Sequence, residues 1–160
     1  MSLGLKYIGL AFAIAALAAF VHLYIRNQKK RRLCYIETAG LISYISERLK
    51  TKRASLFALA LDFDCRELKE NGFISSLEFG GRADEAAERL TMDKSDKEKL
   101  REFLRDFGKA YLDTELERIA EVLIYFKKRA EAEDTECNDR IRLALVLFSS
   151  FAVGLSLLCI

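Results

Sequence analysis

The sequence predicts an all-α protein, in which a compact bundle of about five to six helices lies between two apolar helices at the chain ends. Proline is absent and only 8 glycines occur in 160 residues, which favours long uninterrupted helices. Apolar residues recur at helical spacing through the middle of the chain. All 24 acidic residues lie between Glu37 and Asp139, so the two ends are suited to a different solvent from the middle.

Residues 7–25 form the first apolar run, 19 residues without a charge. As a helix this run would rise about 28 Å, close to the roughly 30 Å hydrocarbon core of a bilayer. Five basic residues follow it within seven positions: Arg26, Lys29, Lys30, Arg31 and Arg32. Such a cluster favours the cytoplasmic side and anionic lipid head groups. A cleaved signal peptide is the alternative, but its basic residues would precede the apolar run.

Residues 143–160 form the second apolar run, again uncharged, with Arg140 and Arg142 just before it. Both basic flanks therefore place residues 26–142 in the cytoplasm and both termini outside. The predicted organisation is a short external segment at 1–6, transmembrane helices at 7–25 and 143–160, and a cytoplasmic helical domain at 26–142. A soluble domain of this size could not enclose two such helices. Small residues at helical spacing in both runs leave a homo-oligomer open.

The cytoplasmic middle shows several amphipathic patterns. The first helix is expected to continue beyond the membrane with an inner face formed by Leu33, Ile36, Leu41, Ile42, Ile45 and Leu49. Further helices are predicted at 56–63 and 83–90, separated by a short segment at 73–79 that Asn71-Gly72 and Gly80-Gly81 delimit.

Two helices are predicted in the second half of the domain. The first follows a capping-box pattern at Ser95 and Glu98 and carries the stripe Leu100, Phe103, Leu104, Phe107 and Tyr111. The second begins near Asp113 and continues into the second apolar run, with one face formed by Leu116, Ile119, Ala120, Leu123 and Phe126.

Residues able to support catalysis or metal binding are sparse. The single histidine, His22, lies in the first apolar run, where it and Tyr35 are expected to be interfacial groups. The four cysteines, at 34, 65, 137 and 159, form no metal-ligand spacing and are expected to be free thiols. No phosphate-binding loop is present. We therefore expect no enzymatic activity, no cofactor, no metal and no small-molecule substrate. The basic cluster lacks interleaved aromatic residues, so we expect no nucleic-acid partner.

The second half of the chain carries a recognisable combination of residues. A Phe-Gly pair at Phe107 and Gly108 precedes Asp113, and a long charged helix then leads to an apolar tail containing Gly154-Leu155. Upstream, Gly81, Glu85 and Ala86 match a Gly-x-x-x-Glu-Ala pattern. In these motifs and in its architecture the chain resembles the stage III sporulation protein AB family.

The resemblance implies a specific role. That family is similar to the helical domains of F-type platform proteins of type II secretion and type IV pilus systems. It implies a non-enzymatic subunit in the mother-cell membrane of a sporulating bacterium, within a complex facing the forespore. The expected partners are membrane lipids, other subunits of that complex and a cytoplasmic secretion-type ATPase. The alternative is a membrane-tethered adaptor or regulator whose helical domain binds a soluble signalling partner.

Overall fold

A computed structural model describes residues 3–51, 55–78 and 83–158 of the chain. These residues form seven α-helices and contain no strand, as the predicted all-α class requires. The helices are α1 (Leu3–Leu49), α2 (Leu56–Asp62), α3 (Arg66–Glu70), α4 (Phe73–Glu78), α5 (Ala83–Glu88), α6 (Lys94–Asp106) and α7 (Leu112–Leu158).

The first and last helices are far longer than the rest, at 47 residues each. Each contains an 18-residue window of high mean hydropathy, 2.3 in α1 and 1.6 in α7, and neither window is buried. Phe12 is 74% exposed and Phe151 is 63% exposed. Both helices are therefore long and apolar enough to cross a membrane.

The chain divides into two compact units. Unit 1 contains residues 1–29 and 134–160, and unit 2 contains residues 30–133. Unit 1 thus includes the two apolar runs, and unit 2 includes most of the charged middle. Unit 2 is narrower than the predicted domain at 26–142, because residues 26–29 and 134–142 belong to unit 1.

The part of α1 in unit 2 buries the predicted face at Leu41, Ile42 and Ile45 but not at its start. Ile42 and Ile45 are buried as expected, but Leu33 and Ile36 are 45% and 40% exposed. Cys34, Tyr35 and Thr38 are buried instead, and the Thr38 hydroxyl donates a hydrogen bond to the Cys34 carbonyl oxygen at 2.8 Å. The prediction that Tyr35 is interfacial is therefore wrong.

The α7 segment of unit 2 also differs in part from its predicted face. Ile119 and Phe126 are fully buried, but Ala120 is exposed. Val122 is buried in its place, and two carboxylates, Glu115 and Glu133, lie on the same inner face. The buried positions 115, 119, 122, 126, 130 and 133 follow the three-and-four spacing of a packed helix.

The short helices α2 to α5 close the core of unit 2. Ser55 caps α2 by accepting a hydrogen bond from the Ala58 N–H at 3.3 Å. Glu37, from α1, caps α3: its carboxylate accepts hydrogen bonds from the backbone N–H groups of Arg66, Glu67 and Leu68 at 2.9–3.2 Å. Helix α3 was not predicted, because its cap comes from 30 positions upstream. Gly72, at φ +76°, makes the turn into α4.

Helix α6 begins two residues earlier than the predicted capping box. Its N-cap is Asp93, in extended conformation, and Ser95 lies inside the first turn. Leu100, Phe103 and Leu104 are buried as predicted, but the helix ends at Asp106 and Tyr111 is 91% exposed. The predicted stripe therefore covers one helix and stops at Phe107, before the loop into α7.

Candidate functional site

Unit 2 contains a network of polar side chains that connects α1, the start of α6 and α7. We call it the polar network. Its members are Arg31, Tyr35, Asp93, Asp96, Tyr125, Arg129 and Glu133. Polar side chains that are buried are stable only when they are hydrogen-bonded. The hydrogen-bond partners of each side chain therefore show what chemistry the network allows.

Tyr35 lies at the centre of this network and is fully buried. Its hydroxyl donates a hydrogen bond to Asp96 Oδ2 at 2.5 Å and accepts one from the backbone N–H of Asp93 at 3.0 Å. The guanidinium groups of Arg31 and Arg129 lie 5.9 Å and 5.5 Å from the centre of its ring. The ring is thus within cation–π distance of two arginines.

Asp96 is a buried acid of the network, 1% exposed. Burial alone would raise the pKa of its carboxyl, but hydrogen bonds from Tyr125, Tyr35 and Arg129 outweigh burial and hold that pKa below its ordinary value. Arg129 Nε donates to Asp96 Oδ2 at 3.0 Å. Asp96 therefore stays ionised in the folded unit.

The pKa values of the two tyrosine hydroxyls are shifted in the opposite direction, upward. Burial is the largest influence on Tyr35 and raises its pKa. The hydrogen bond to Asp96, followed by burial, raises the pKa of Tyr125. A general acid or base works best with a pKa near the working pH. Near neutral pH Asp96 stays charged and both tyrosines stay protonated, so the network is suited to holding helices together.

Two arginines share the N-cap carboxylate of α6. Arg31 Nη2 and Arg129 Nη2 each donate to Asp93 Oδ2 at 2.8 Å. The Asp93 side chain therefore does not cap its own helix, and only its carbonyl accepts the helical N–H groups of Asp96 and Lys97. Arg31 also pairs with Glu133, which is fully buried. One arginine from α1 and one from α7 thus meet at the first turn of α6.

The predicted lipid-facing basic cluster is divided between two roles. Arg26 and Lys29 are exposed in unit 1. Lys30 lies 3.8 Å from the buried carboxylate of Glu67, and Arg31 belongs to the polar network. Arg32 is partly buried. Of the five, Arg26 and Lys29 are therefore the exposed cations that an anionic head group could reach.

The residues of the family motif separate in the structure. Ala86 is fully buried in α5, whereas Glu85 is exposed on the same helix. Asp113 is exposed in the first turn of α7. Gly81 lies outside the described residues. The motif is thus partly core and partly surface.

Phe107 and Gly108 do meet at a common feature, a mostly apolar pocket of about 390 Å³ in unit 2. The pocket is lined by Ser55, Leu56, Phe57, Leu77, Ala83, Leu104, Phe107 and Gly108. The Phe107 ring packs edge-on against Phe103 at 5.8 Å, and Gly108 turns the chain at φ +80° with open space where a Cβ would stand. We call this feature the Phe107 pocket.

Among the described residues no group of three or more His, Cys, Asp or Glu side chains is arranged to hold a metal ion. Cys34 and Cys65 are free and buried, as predicted for these two thiols, and Cys137 is also buried. Burial raises the pKa of the Cys34 thiol to about 12, so it is a packing residue with little thiolate character. Cys159 lies outside the described residues.

No protein-family profile, curated protein or solved structure matches this chain. The functional interpretation therefore depends on the geometry above and on the sequence motifs.

Proposed function

We propose that this chain is a non-enzymatic, two-pass membrane protein whose helical unit is a docking platform on the cytoplasmic face. The observation that carries the proposal is the exposure of the apolar segments of α1 and α7. Large side chains such as Phe12, Phe20 and Phe151 are more than 60% exposed in both. Contiguous apolar surface of this extent is stable in hydrocarbon and unfavourable in water.

The orientation follows from charge. Arg26 and Lys29, at the unit 2 end of the first apolar segment, are exposed cations, and Arg142 is exposed beside the second. Positive residues are retained on the cytoplasmic side. Both termini would then lie outside and unit 2 in the cytoplasm.

The platform role is supported by the internal construction of unit 2. The polar network holds α1, α6 and α7 by buried ion pairs and hydrogen bonds, which favours a rigid body over a mobile one. The Phe107 pocket offers an apolar surface on that body. Together with the resemblance to the stage III sporulation protein AB family, these features support a platform subunit of a sporulation secretion complex in the mother-cell membrane, which docks a cytoplasmic secretion-type ATPase.

The docking surface can be tested by co-purification of the full-length chain with the secretion ATPase of its host. Phe107→Ala, which empties part of the pocket, is expected to reduce ATPase recovery strongly. Tyr111→Ala, four positions further on and 91% exposed, is the matched control and should retain it. Equal recovery with both variants, or none with the wild-type chain, would contradict this assignment.

Membrane insertion and physiological role require separate measurements. The full-length chain should resist alkaline carbonate extraction. A reporter enzyme that works only outside the cytoplasm should be active when it is fused to either terminus. A deletion strain that completes engulfment and spore formation normally would exclude the sporulation role.

A membrane-tethered adaptor is the second candidate. It is favoured by the contribution of Leu56, Phe57 and Leu77 to the Phe107 pocket, since these residues lie in the half of the chain with the weaker family motifs. Recovery of a kinase or transcriptional regulator in the same co-purification, lost in Phe57→Ala, would support the adaptor over the platform.

A further inference from the structure

Unit 1 contains a second pocket, which lies between the apolar segments of α1 and α7 and has a volume of about 280 Å³. Its lining comes from Leu17, Phe20, Val21 and Tyr24 of α1 and from Arg140, Leu143, Ala144, Leu147, Phe148 and Phe151 of α7. We call it the interhelical groove. For comparison, an apolar cavity of about 150 Å³ is enough to bind benzene.

The groove has one polar end. Arg140 is its only charged lining residue, and Tyr24 is its only other polar one. Arg140 is held in place by Gln28, whose Oε1 accepts a hydrogen bond from Arg140 Nη1 at 3.2 Å, and by an ion pair with Glu136. No acidic residue is among the lining. The chemical character of the groove therefore changes from cationic to fully apolar along α7.

The lining residues of α7 span about the depth of one leaflet of a bilayer. From Arg140 to Phe151 the α7 axis rises about 16 Å, and one leaflet contributes roughly half of a 30 Å hydrocarbon core. Arg140 stands just before the uncharged run, at the interface, and Phe151 stands near its middle. An amphiphile with a negative head group and a single chain inserted from the interface has these dimensions.

We propose that the interhelical groove binds one acyl chain of an anionic phospholipid, with the phosphate at Arg140. This rests on the proposed membrane insertion of unit 1. The lining favours a lipid over an apolar helix of a second copy, because residues 7–25 and 143–160 contain no acidic residue that could pair with Arg140. The charge favours an anionic lipid over a neutral one.

Native mass spectrometry of the full-length chain in detergent, titrated with phosphatidylglycerol and with phosphatidylcholine of identical chains, tests the proposal. We expect a 1:1 phosphatidylglycerol adduct. Ala144→Phe should weaken it about tenfold, or about 1.4 kcal/mol, because the larger ring occupies space in the groove that the acyl chain would fill. Ala13→Phe is the matched control, since Ala13 is exposed and does not line the groove, and it should bind as the wild type does.

Arg140→Gln distinguishes the contribution of the lipid head group to binding from that of the acyl chain. It should abolish the preference for phosphatidylglycerol while weak binding of either lipid remains. Equal phosphatidylglycerol binding by Ala144→Phe and Ala13→Phe would overturn the proposal. So would a dimer that Ala144→Phe dissociates, because the groove would then be an interface between copies. Release of the chain by carbonate would overturn the membrane assignment as well, whereas an inserted chain without a lipid adduct would overturn the lipid site alone.

Discussion

Arg31 and Glu133, separated by 102 positions in the chain, form a two-point ion pair in unit 2. Arg31 Nε lies 2.8 Å from Glu133 Oε1 and Nη2 lies 3.2 Å from Oε2. The Glu133 side chain is fully buried and the Arg31 side chain is 22% exposed. The parallel geometry matches the fork of a guanidinium to a carboxylate, so this pair fixes the register of α1 against α7 within the unit.

Removal of Arg31 is expected to destabilise unit 2 severely. Arg31→Ala removes the guanidinium that pairs with the buried Glu133 carboxylate, and breaking such a pair costs about 3 kcal/mol or more of the free energy of unfolding. Arg66→Ala is the control: its partner Glu70 is an exposed neighbour on the same helix, so the loss should be much smaller than for Arg31→Ala. Denaturant titration followed by circular dichroism measures both. Equal losses would show that the Arg31 pair is not structural.

Loss of the Tyr35 hydroxyl should be costly although the ring remains. Tyr35→Phe leaves Asp96 without one donor and the Asp93 N–H without its acceptor, and we expect a loss of about 1–3 kcal/mol in unfolding free energy. Tyr111→Phe changes a hydroxyl that is exposed to water and should stay within about 0.5 kcal/mol of the wild type. A neutral effect of Tyr35→Phe would mean that water replaces the hydroxyl in the network.

The polar network should make unit 2 sensitive to acid. Because the pKa of Asp96 is lower in the folded than in the unfolded state, the unfolded state binds the proton first as the pH falls. The stabilisation is therefore complete above the ordinary value of 3.8 and is lost as the pH drops below about 4. Asp96→Asn should remove this component, giving a less steep fall in unfolding free energy between neutral pH and pH 3. The exposed variant Asp113→Asn should retain the wild-type slope.

Cys34 should resist thiol reagents until unit 2 unfolds. The thiol is fully buried and its pKa is raised to about 12 from an ordinary 9.0, so little thiolate forms at pH 8. In a chain with Cys159 replaced by serine, iodoacetamide is expected to modify the protein only with denaturant present. Ser75→Cys, at an exposed position of α4, supplies the positive control and should label at once. Fast labelling of Cys34 would indicate local opening of the core.

Gly108 should be intolerant of a β-carbon because of its backbone and not because of crowding. Its φ is +80° and no atom lies within 4 Å of an added Cβ, so Gly108→Ala is expected to cost about 1–2 kcal/mol through the left-handed conformation alone. Gly108→Asn should cost less, since asparagine tolerates that region. If both cost nothing, the loop can adopt another conformation.

The sequence was informative where one helix determines its own structure. The continuation of α1 to Leu49, the turn at Gly72 and the burial of Phe103 and Leu104 all follow from local spacing or from glycine. The predicted face of α1 is wrong only at Leu33 and Ile36, because it was built from aliphatic residues alone. The buried stripe uses Tyr35 and Thr38, which a hydropathy pattern treats as polar.

The polar network could not be predicted from local pattern at all. Tyr35 bonds to Asp96, which is 61 positions away in the sequence, and Arg31 bonds to Asp93, which is 62 positions away. Many other acids of the domain were equally available to each. The Ser95 and Glu98 pattern predicted the wrong N-cap for α6. The N-cap is Asp93, whose side chain bonds to two arginines instead of to its own helix. Only the packing of the helices selects these partners.

The division of the basic cluster changes how orientation experiments should be designed. A charge scan across Arg26 to Arg32 is the usual way to ask which side of a membrane a segment occupies. Here Lys30 and Arg31 form ion pairs with buried carboxylates, so neutralising them is expected to destabilise unit 2. The resulting degradation would look like a topology defect. Arg26 and Lys29 are the positions at which a reversed charge would report on orientation alone.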